Sequence, residues 1–470
     1  MPGSGEWAQI AHRIVRLSPP CRSGRDTRSD RLHSQMRPPF RVTENGSAVA
    51  NPAFILRSLL LFGLVLRNRE FRAMVSTETL SVFGDFLSRV ALAVLVFTRT
   101  GSAGLSGFAI ALTLLPAVAG GFLLSGIADR HPRRDVMVAV NVVRAALVAV
   151  MAVPGLPLSL LCGLVAVSSF LTGPYAAANL ALLRDVLPAE QYGTGMALRG
   201  MLSNGSQFLG LALGGLLASA LSPAACLWLD SATFALAASI IVHRVVRRPA
   251  ARSGPARRPG AGVFDLVWGT AGRRAAFLST FTGLFLAAPL ALAAPLAAGL
   301  GLPSRWVGFI MAAGAAGAIV GLAIFGRFAG AERSGWVFPV AAAAAGLPLI
   351  ALAGVREPVA VLVLIGLGEA FWAIMTVIAA SSFAGLLPDA QRGRGMGIAG
   401  SVNTAAQGLG ALAAGVLGDL ITPAVAIAVL GVAAALFALL PAGQWWRASG
   451  ERGNPADRAP ALAAQPAAVD

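Results

Sequence analysis

Lysine is absent from this 470-residue chain, tyrosine occurs twice, cysteine three times and histidine four times. Without lysine there is no Gly-Lys-Ser/Thr loop to hold a nucleotide, which excludes ATP drive by this chain alone. Cys21, Cys162 and Cys226 show no metal or redox spacing, and two lie in apolar runs, so they read as small apolar fillers. The histidines (12, 33, 131 and 243) stand outside the apolar runs or at their ends. That leaves no nucleophile–base or metal constellation for an enzyme, and no cofactor is expected. Charged residues reach 12%, against about 25% in soluble chains. So little charge excludes a soluble enzyme, a secreted disulfide scaffold and a disordered chain.

Apolar residues supply 56% of the sequence, glycine another 54 positions, and the mean hydropathy is +0.73. The chain reads as an all-α integral membrane protein. Residues 1–72 differ in kind, with proline, serine and many arginines; the apolar stretch 53–66 is short and interrupted by Arg57. It falls below the ~20 residues a span needs. This extension reads as a disordered cytoplasmic segment or a start codon placed too early, with Met36 and Met74 both available. From there apolar runs recur at about 74–97, 105–128, 135–153, 156–181, 196–220 and 223–243. After an Arg- and Pro-rich linker they resume at 275–299, 306–328, 336–354, 358–382, 396–418 and 423–441. Twelve transmembrane helices are expected, followed by a disordered tail at 446–470.

Arginine is distributed unevenly between alternate loops. Loops 130–134, 184–199, 244–274, 327–333 and 392–394 together hold 17, whereas Arg99, Arg305 and Arg356 are the three in the other set. The net charge of +16 therefore reads as a topology signal beside anionic lipid, not a nucleic-acid footprint. It predicts a multi-pass protein of the cell membrane with both termini and the 244–274 linker in the cytoplasm.

An internal repeat organises the helices. Leu187-Pro188-Ala189-Glu190-Gln191 through Met196 returns as Leu387-Pro388-Asp389-Ala390-Gln391 through Met396. Gly200/Gly400, Gln207/Gln407, Gly210/Gly410, Gly215/Gly415 and Pro223/Pro423 keep the same offset of 200. A six-helix step preserves direction across the membrane, so two parallel-repeat halves are expected, at 73–243 and 275–445.

Between the second and third runs stands Ser125-Gly126-Ile127-Ala128-Asp129-Arg130-His131-Pro132-Arg133-Arg134. This resembles the cytoplasmic signature of the major facilitator superfamily, Gly-x-Leu-Ala-Asp-Arg-x-Gly-Arg-Arg. The leading glycine has become Ser125, with Gly126 beside it, and the second glycine is Pro132. Arg67-Asn68-Arg69, Gly84-Asp85 and Thr100-Gly101-Ser102 are most similar to the bacterial exporter branch of macrolide efflux pumps and the enterobactin exporter. The resemblance spans about 73–445 and implies a gate at Gly126, Asp129, Arg130, Arg133 and Arg134. In that gate Asp129, unfavourably placed at a helix C-terminus, is compensated by Arg133 or Arg134 and by the start of the eleventh helix. Gly210, Gly214 and Gly215 resemble part of an antiporter element with Leu211 in place of proline. Helix packing by small residues is the favoured reading. The fourth helix lacks the embedded arginine many antiporters of the family carry.

Asp85, Arg89, Arg144, Asp230 and Glu369 lie deep in the runs, where an unpaired charge costs about 2.5–3.5 kcal/mol. In the implied architecture the first, fourth, seventh and tenth helices surround the cavity. Asp85, Arg89 and Glu369 are therefore the coupling and substrate candidates, while Arg144 and Asp230 suit structural roles. Asp85 is expected to carry the coupling proton, with a static Asp85–Arg89 pair as the alternative. Asn179, Asn204, Gln207, Asn403 and Gln407 suit either substrate contacts or helix packing. The sequence thus points to a monomeric alternating-access transporter expelling a hydrophobic or amphipathic small molecule against protons. An importer and a non-transporting membrane sensor remain as alternatives.

Overall fold

The computed structural model describes residues 40–42, 48–50, 61–124, 126–249, 267–327 and 335–453. Most of the 1–72 extension, the middle of the linker and the end of the tail lie outside the described residues. Two compact units are present. The first, ending at Asn51, contains the antiparallel strands β1 (Phe40–Val42) and β2 (Ala48–Ala50), with Phe40 opposite Ala50.

The second unit is helical. Its main helices are α1 (Arg69–Thr100), α2 (Ala103–Leu124), α3 (Arg133–Met151), α4 (Leu158–Val186, with a turn at Leu171), α5 (Ala189–Ala220) and α6 (Pro223–Arg244). After the linker come α7 (Ala271–Ala291), α8 (Arg305–Phe325), α9 (Val337–Ala351), α10 (Pro358–Leu386), α11 (Asp389–Leu420) and α12 (Pro423–Gly453). Among the described residues eight helices are long and apolar enough to cross a membrane. Of the others, α3 carries charges, α5 and α11 are rich in amides and glycine, and α9 has 15 residues.

Local chemistry sets the helix ends. Asn68 caps α1, its side-chain oxygen accepting from the backbone N–H groups of Glu70 and Phe71 at 3.0 and 3.1 Å. Gly101 ends α1 at φ 66°, a conformation glycine adopts without steric cost. Ser222 and Glu357 cap α6 and α10, each followed by proline at the first helical position. Several helices outrun their apolar stretches; α5 and α11 start directly after Pro188 and Pro388, seven residues before the apolar runs begin. The expected seventh span is not one continuous helix. It passes through a 3-10 turn at Ser279–Thr282 and short segments around Pro289 and Pro295, where proline removes a backbone donor and crowds the preceding turn.

Helices α1–α6 pack chiefly on one another, as do α7–α12, and the two sets meet along α2–α11 and α5–α8. Corresponding ends are tied alike. Asn68 donates to the carbonyl of Val186, and Arg273, beside the start of α7, donates to that of Leu386, the same position one repeat later. A core containing Val90, Ile110, Leu211, Leu292, Ile310, Ile365 and Ile427 is common to both sets. Toward the Asn68 end it divides into two, one around Phe71, Met137 and Leu182 and the other around Phe338, Met375 and Phe383.

Candidate functional site

The two sets of helices touch most closely at the Gly101 end. A Cβ on Gly107 of α2 would stand 2.3 Å from the carbonyl oxygen of Ala411 and 2.8 Å from the Cα of Gly415 on α11. At the other seam a Cβ on Gly215 of α5 would stand 2.6 Å from the Cα of Gly308 on α8. Only glycine permits such backbone approach. Gly210 and Gly214 face α1 instead, against the carbonyl of Phe83 and the side chain of Val90. All three glycines of the α5 element are thus in packing contacts. Asp419, near the end of α11, also reaches across. Its carboxylate accepts from the N–H of Ala103 at 2.7 Å, the N–H of Gly104 at 3.0 Å and the hydroxyl of Ser102 at 2.8 Å. One helix thereby caps the N-terminus of a helix in the other set.

Beyond this closed end, two of the cavities among the described residues are lined by ionisable side chains. The larger, about 310 Å³, is bounded by α5, α7, α8, α10 and α11. Glu369 of α10 faces it, with room made by Gly314 of α8, whose Cβ would stand 3.0 Å from the Glu369 Cγ. Around it are Asn204, Gln207, Asn403, Gln407 and Trp372, whose buried indole N–H has no hydrogen-bond partner among the described residues. The lining holds no cationic residue, and no ion pair to Glu369 forms among the described residues.

The second cavity, about 280 Å³, lies between α1, α2, α3, α4 and α6, with Thr404 of α11 at its edge. Here Asp85 bonds to Arg144 of α3 at 2.5 Å, not to Arg89 one turn away. Arg144 also donates to Ser168 at 3.3 Å and lies over the ring of Phe234 at 4.2 Å. Asp230 of α6 accepts from the Ser88 hydroxyl at 2.5 Å and from Thr233 at 3.3 Å. Gly84 allows this approach, because a Cβ there would stand 2.1 Å from the Asp230 Oδ1. Arg89 stacks on Phe86 at 4.4 Å, and its buried Nε has no acceptor among the described residues.

Replacing Arg144 by leucine should leave Asp85 without its partner and cost about 1–3 kcal/mol, less than a fully buried pair because Asp85 is only part-buried. The apparent melting temperature would fall, and adding Asp85→Asn should recover most of it. Equal melting of Arg144→Leu and wild type would contradict the pairing.

Three groups escaped the sequence reading: Glu78, Arg199 and Asp419. Glu78 of α1 is buried and accepts from Arg199 of α5 at 2.6 Å and from Asn179 of α4 at 2.9 Å. Its position seven residues before Asp85, on the same face of one helix, was the available signal.

At the Asn68 end, Arg133 pairs with Asp185 and donates to the carbonyl of Ala181, while Arg134 donates to that of Val242. Both arginines thus serve the C-terminal ends of α4 and α6, where cations are favoured. Arg130 is exposed and ends a short helix begun at Gly126. The Asp129 side chain, on which the expected gate rests, lies outside the described residues, as do Ser125 and the first two side chains of α11. Arg248, past the end of α6, is held by both oxygens of Glu70 at 2.5 and 2.8 Å, and this hydrogen bonding raises its pKa above the ordinary arginine value.

The model of the Major Facilitator Superfamily matches residues 74–383, well over half of the sequence, and the chain belongs to that superfamily of membrane transporters. No curated protein matches it. Among solved structures, it is similar to a bacterial homolog of the human lysosomal transporter Spinster, in an inward-facing and unoccupied conformation. That match has 14% identity and a TM-score of 0.63, covering 81% of this chain and 97% of the other. A peptide transporter POT in complex with sulfate matches at 15% identity and TM-score 0.63, covering 81% and 95%. The nucleoside transporter NupG matches at 14% and 0.58, covering 80% and 98%. These likenesses share the fold; the chain is a multi-pass membrane protein of a transporter family.

Proposed function

We propose that this chain is a proton-coupled exporter of a hydrophobic or amphipathic small molecule. It works as a monomer in the cell membrane by alternating access between two six-helix halves, α1–α6 and α7–α12, joined by the 244–274 linker. The offset of 200 in sequence and the matching ties at Val186 and Leu386 support the twelve-helix, parallel-repeat plan. One observation carries the reading: the halves are closed at the Gly101 end by glycine contacts and Asp419, and an acid without a cation, Glu369, faces the cavity beyond. A cavity closed at one end of a paired bundle is what one state of alternating access requires.

The arginine asymmetry supports a cytoplasmic Asn68 end, and on that reading this state is closed to the outside. A cysteine introduced at position 254 should then resist membrane-impermeant reagents applied to intact cells and react once the cells are opened. Labelling of intact cells at that position would reverse the topology.

The ion pair at Asp85 changes which acid carries the proton. Protonating Asp85 would leave Arg144 unpaired, whereas Glu369 can take a proton and strand no partner. Glu369 is the coupling acid in this reading, and Asp85 the structural one. Transport into inside-out vesicles across a panel of amphipathic compounds, with and without a proton gradient, tests the function. Concentrative uptake abolished by an uncoupler is the expected result; no movement of any compound would favour the sensor.

A further inference from the structure

We propose that the second cavity binds an amphipathic carboxylate, with Arg89 receiving the carboxyl group. This inference rests on the transport reading for its purpose, but its geometry stands apart. Four charged side chains face the space: Asp85, Arg89, Arg144 and Asp230. Three already have partners, because Arg144 holds Asp85 at 2.5 Å and Ser88 and Thr233 hold Asp230. Arg89 is the one left over. No carboxylate lies within ion-pair distance of it among the described residues, and its buried Nε has no acceptor.

A guanidinium in the middle of a membrane helix costs a few kcal/mol unless something compensates it. Phe86 compensates one face by cation–π stacking, at 4.4 Å from its ring centre. Stacking occupies the flat face and leaves the edge, whose N–H groups form the fork that fits two carboxylate oxygens. Leu92, Leu114, Val148, Met151 and Val165 make the wall apolar on one part, and the hydroxyls of Thr113, Ser169 and Thr172 stand on another. One unpartnered cationic edge in a partly apolar chamber of about 280 Å³, where the other charges are already paired or hydrogen-bonded, suits a small molecule with one anionic head and an apolar body. A bare inorganic anion would leave the hydrocarbon wall unused, and an organic cation would face Arg89 directly.

Binding of radiolabelled octanoate to the full-length protein in phosphatidylcholine nanodiscs tests this, with empty nanodiscs as background and no gradient. Octanoate should bind saturably and be displaced by unlabelled octanoate, but not by equal octanol or octyltrimethylammonium. Arg89→Gln should weaken binding at least about tenfold, the scale of one charged hydrogen bond. Arg89→Lys, which keeps the charge and loses the fork, should fall between the two. If Arg89→Gln does not fold, judged by size-exclusion profile and melting, Arg89→Lys decides alone. Undiminished octanoate affinity in the folded variant overturns the proposal, and so does equal competition by octyltrimethylammonium. Because binding is read at equilibrium, octanoate binding without transport of any compound would sink the transport reading and leave this site standing. Transport without octanoate binding would do the reverse.

Discussion

Glu369→Gln is expected to reduce gradient-driven accumulation to the level of protein-free vesicles while leaving binding of the transported compound in place. The variant removes the group that carries the proton in the proposed mechanism and keeps its size and polarity. Nothing else in the larger cavity can substitute, since Glu369 is the one acid among its lining residues. The reasoning runs through partners. An ion-paired carboxylate resists cycling because each protonation strands a cation, and leaving one partner of a part-buried pair unsatisfied costs about 1–3 kcal/mol. Glu369 carries no such penalty. Downhill exchange of the compound should survive in the variant, because exchange needs no net proton movement. Concentrative uptake by Glu369→Gln at the wild-type rate would remove Glu369 from the mechanism and return Asp85 to it.

Asp419→Ala should loosen closure at the Gly101 end. The carboxylate caps α2 from α11 through two backbone N–H groups and one hydroxyl, and all three bonds vanish with it. Losing an N-cap costs about 0.5–2 kcal/mol, which is about a 2- to 30-fold shift in the closed-to-open ratio. Spin labels at Leu105 and Leu420, both exposed at this seam, would report it as growth of a longer-distance population. An unchanged distance distribution would mean that the cap contributes nothing to closure. The bond joins the two sets of helices and is absent from either alone, so the change should exceed any effect on melting.

Much of this architecture was legible in the sequence because it depends on apolar periodicity and chemistry at helix ends. Pro188 and Pro388, the offset of 200, and the alternation of arginine needed no coordinates. The charged groups were harder. Asp85 and Arg144 lie 59 positions apart on different helices, and nothing in a single sequence fixes how α1 and α3 are rotated toward each other. Arg89, one turn from Asp85, looked like the partner because proximity along a helix is visible while proximity between helices is not. Asp419 is a different case. An acid at a helix C-terminus is unfavourable without an outside partner, the same argument that drew attention to Asp129, and it applies equally to the end of α11. The interruption of α7 was signalled by Pro289 and Pro295, yet hydropathy outweighed them.

The repeat that relates the two sets is broken at Asp419. Its counterpart one repeat earlier is Ser219, whose hydroxyl turns back to the carbonyl of Leu216 in its own helix. The α2–α11 seam is therefore stitched by hydrogen bonds, whereas the α5–α8 seam is held by bare backbone contact between Gly215 and Gly308. A clasp fastened on one side only swings like a door. In the proposed cycle the unstitched side is the one expected to part first, and α5 and α8 are also walls of the Glu369 cavity. On the proposed export, a molecule leaving that cavity through the Gly101 end would then have its exit between α5 and α8, with α2 and α11 as the hinge post.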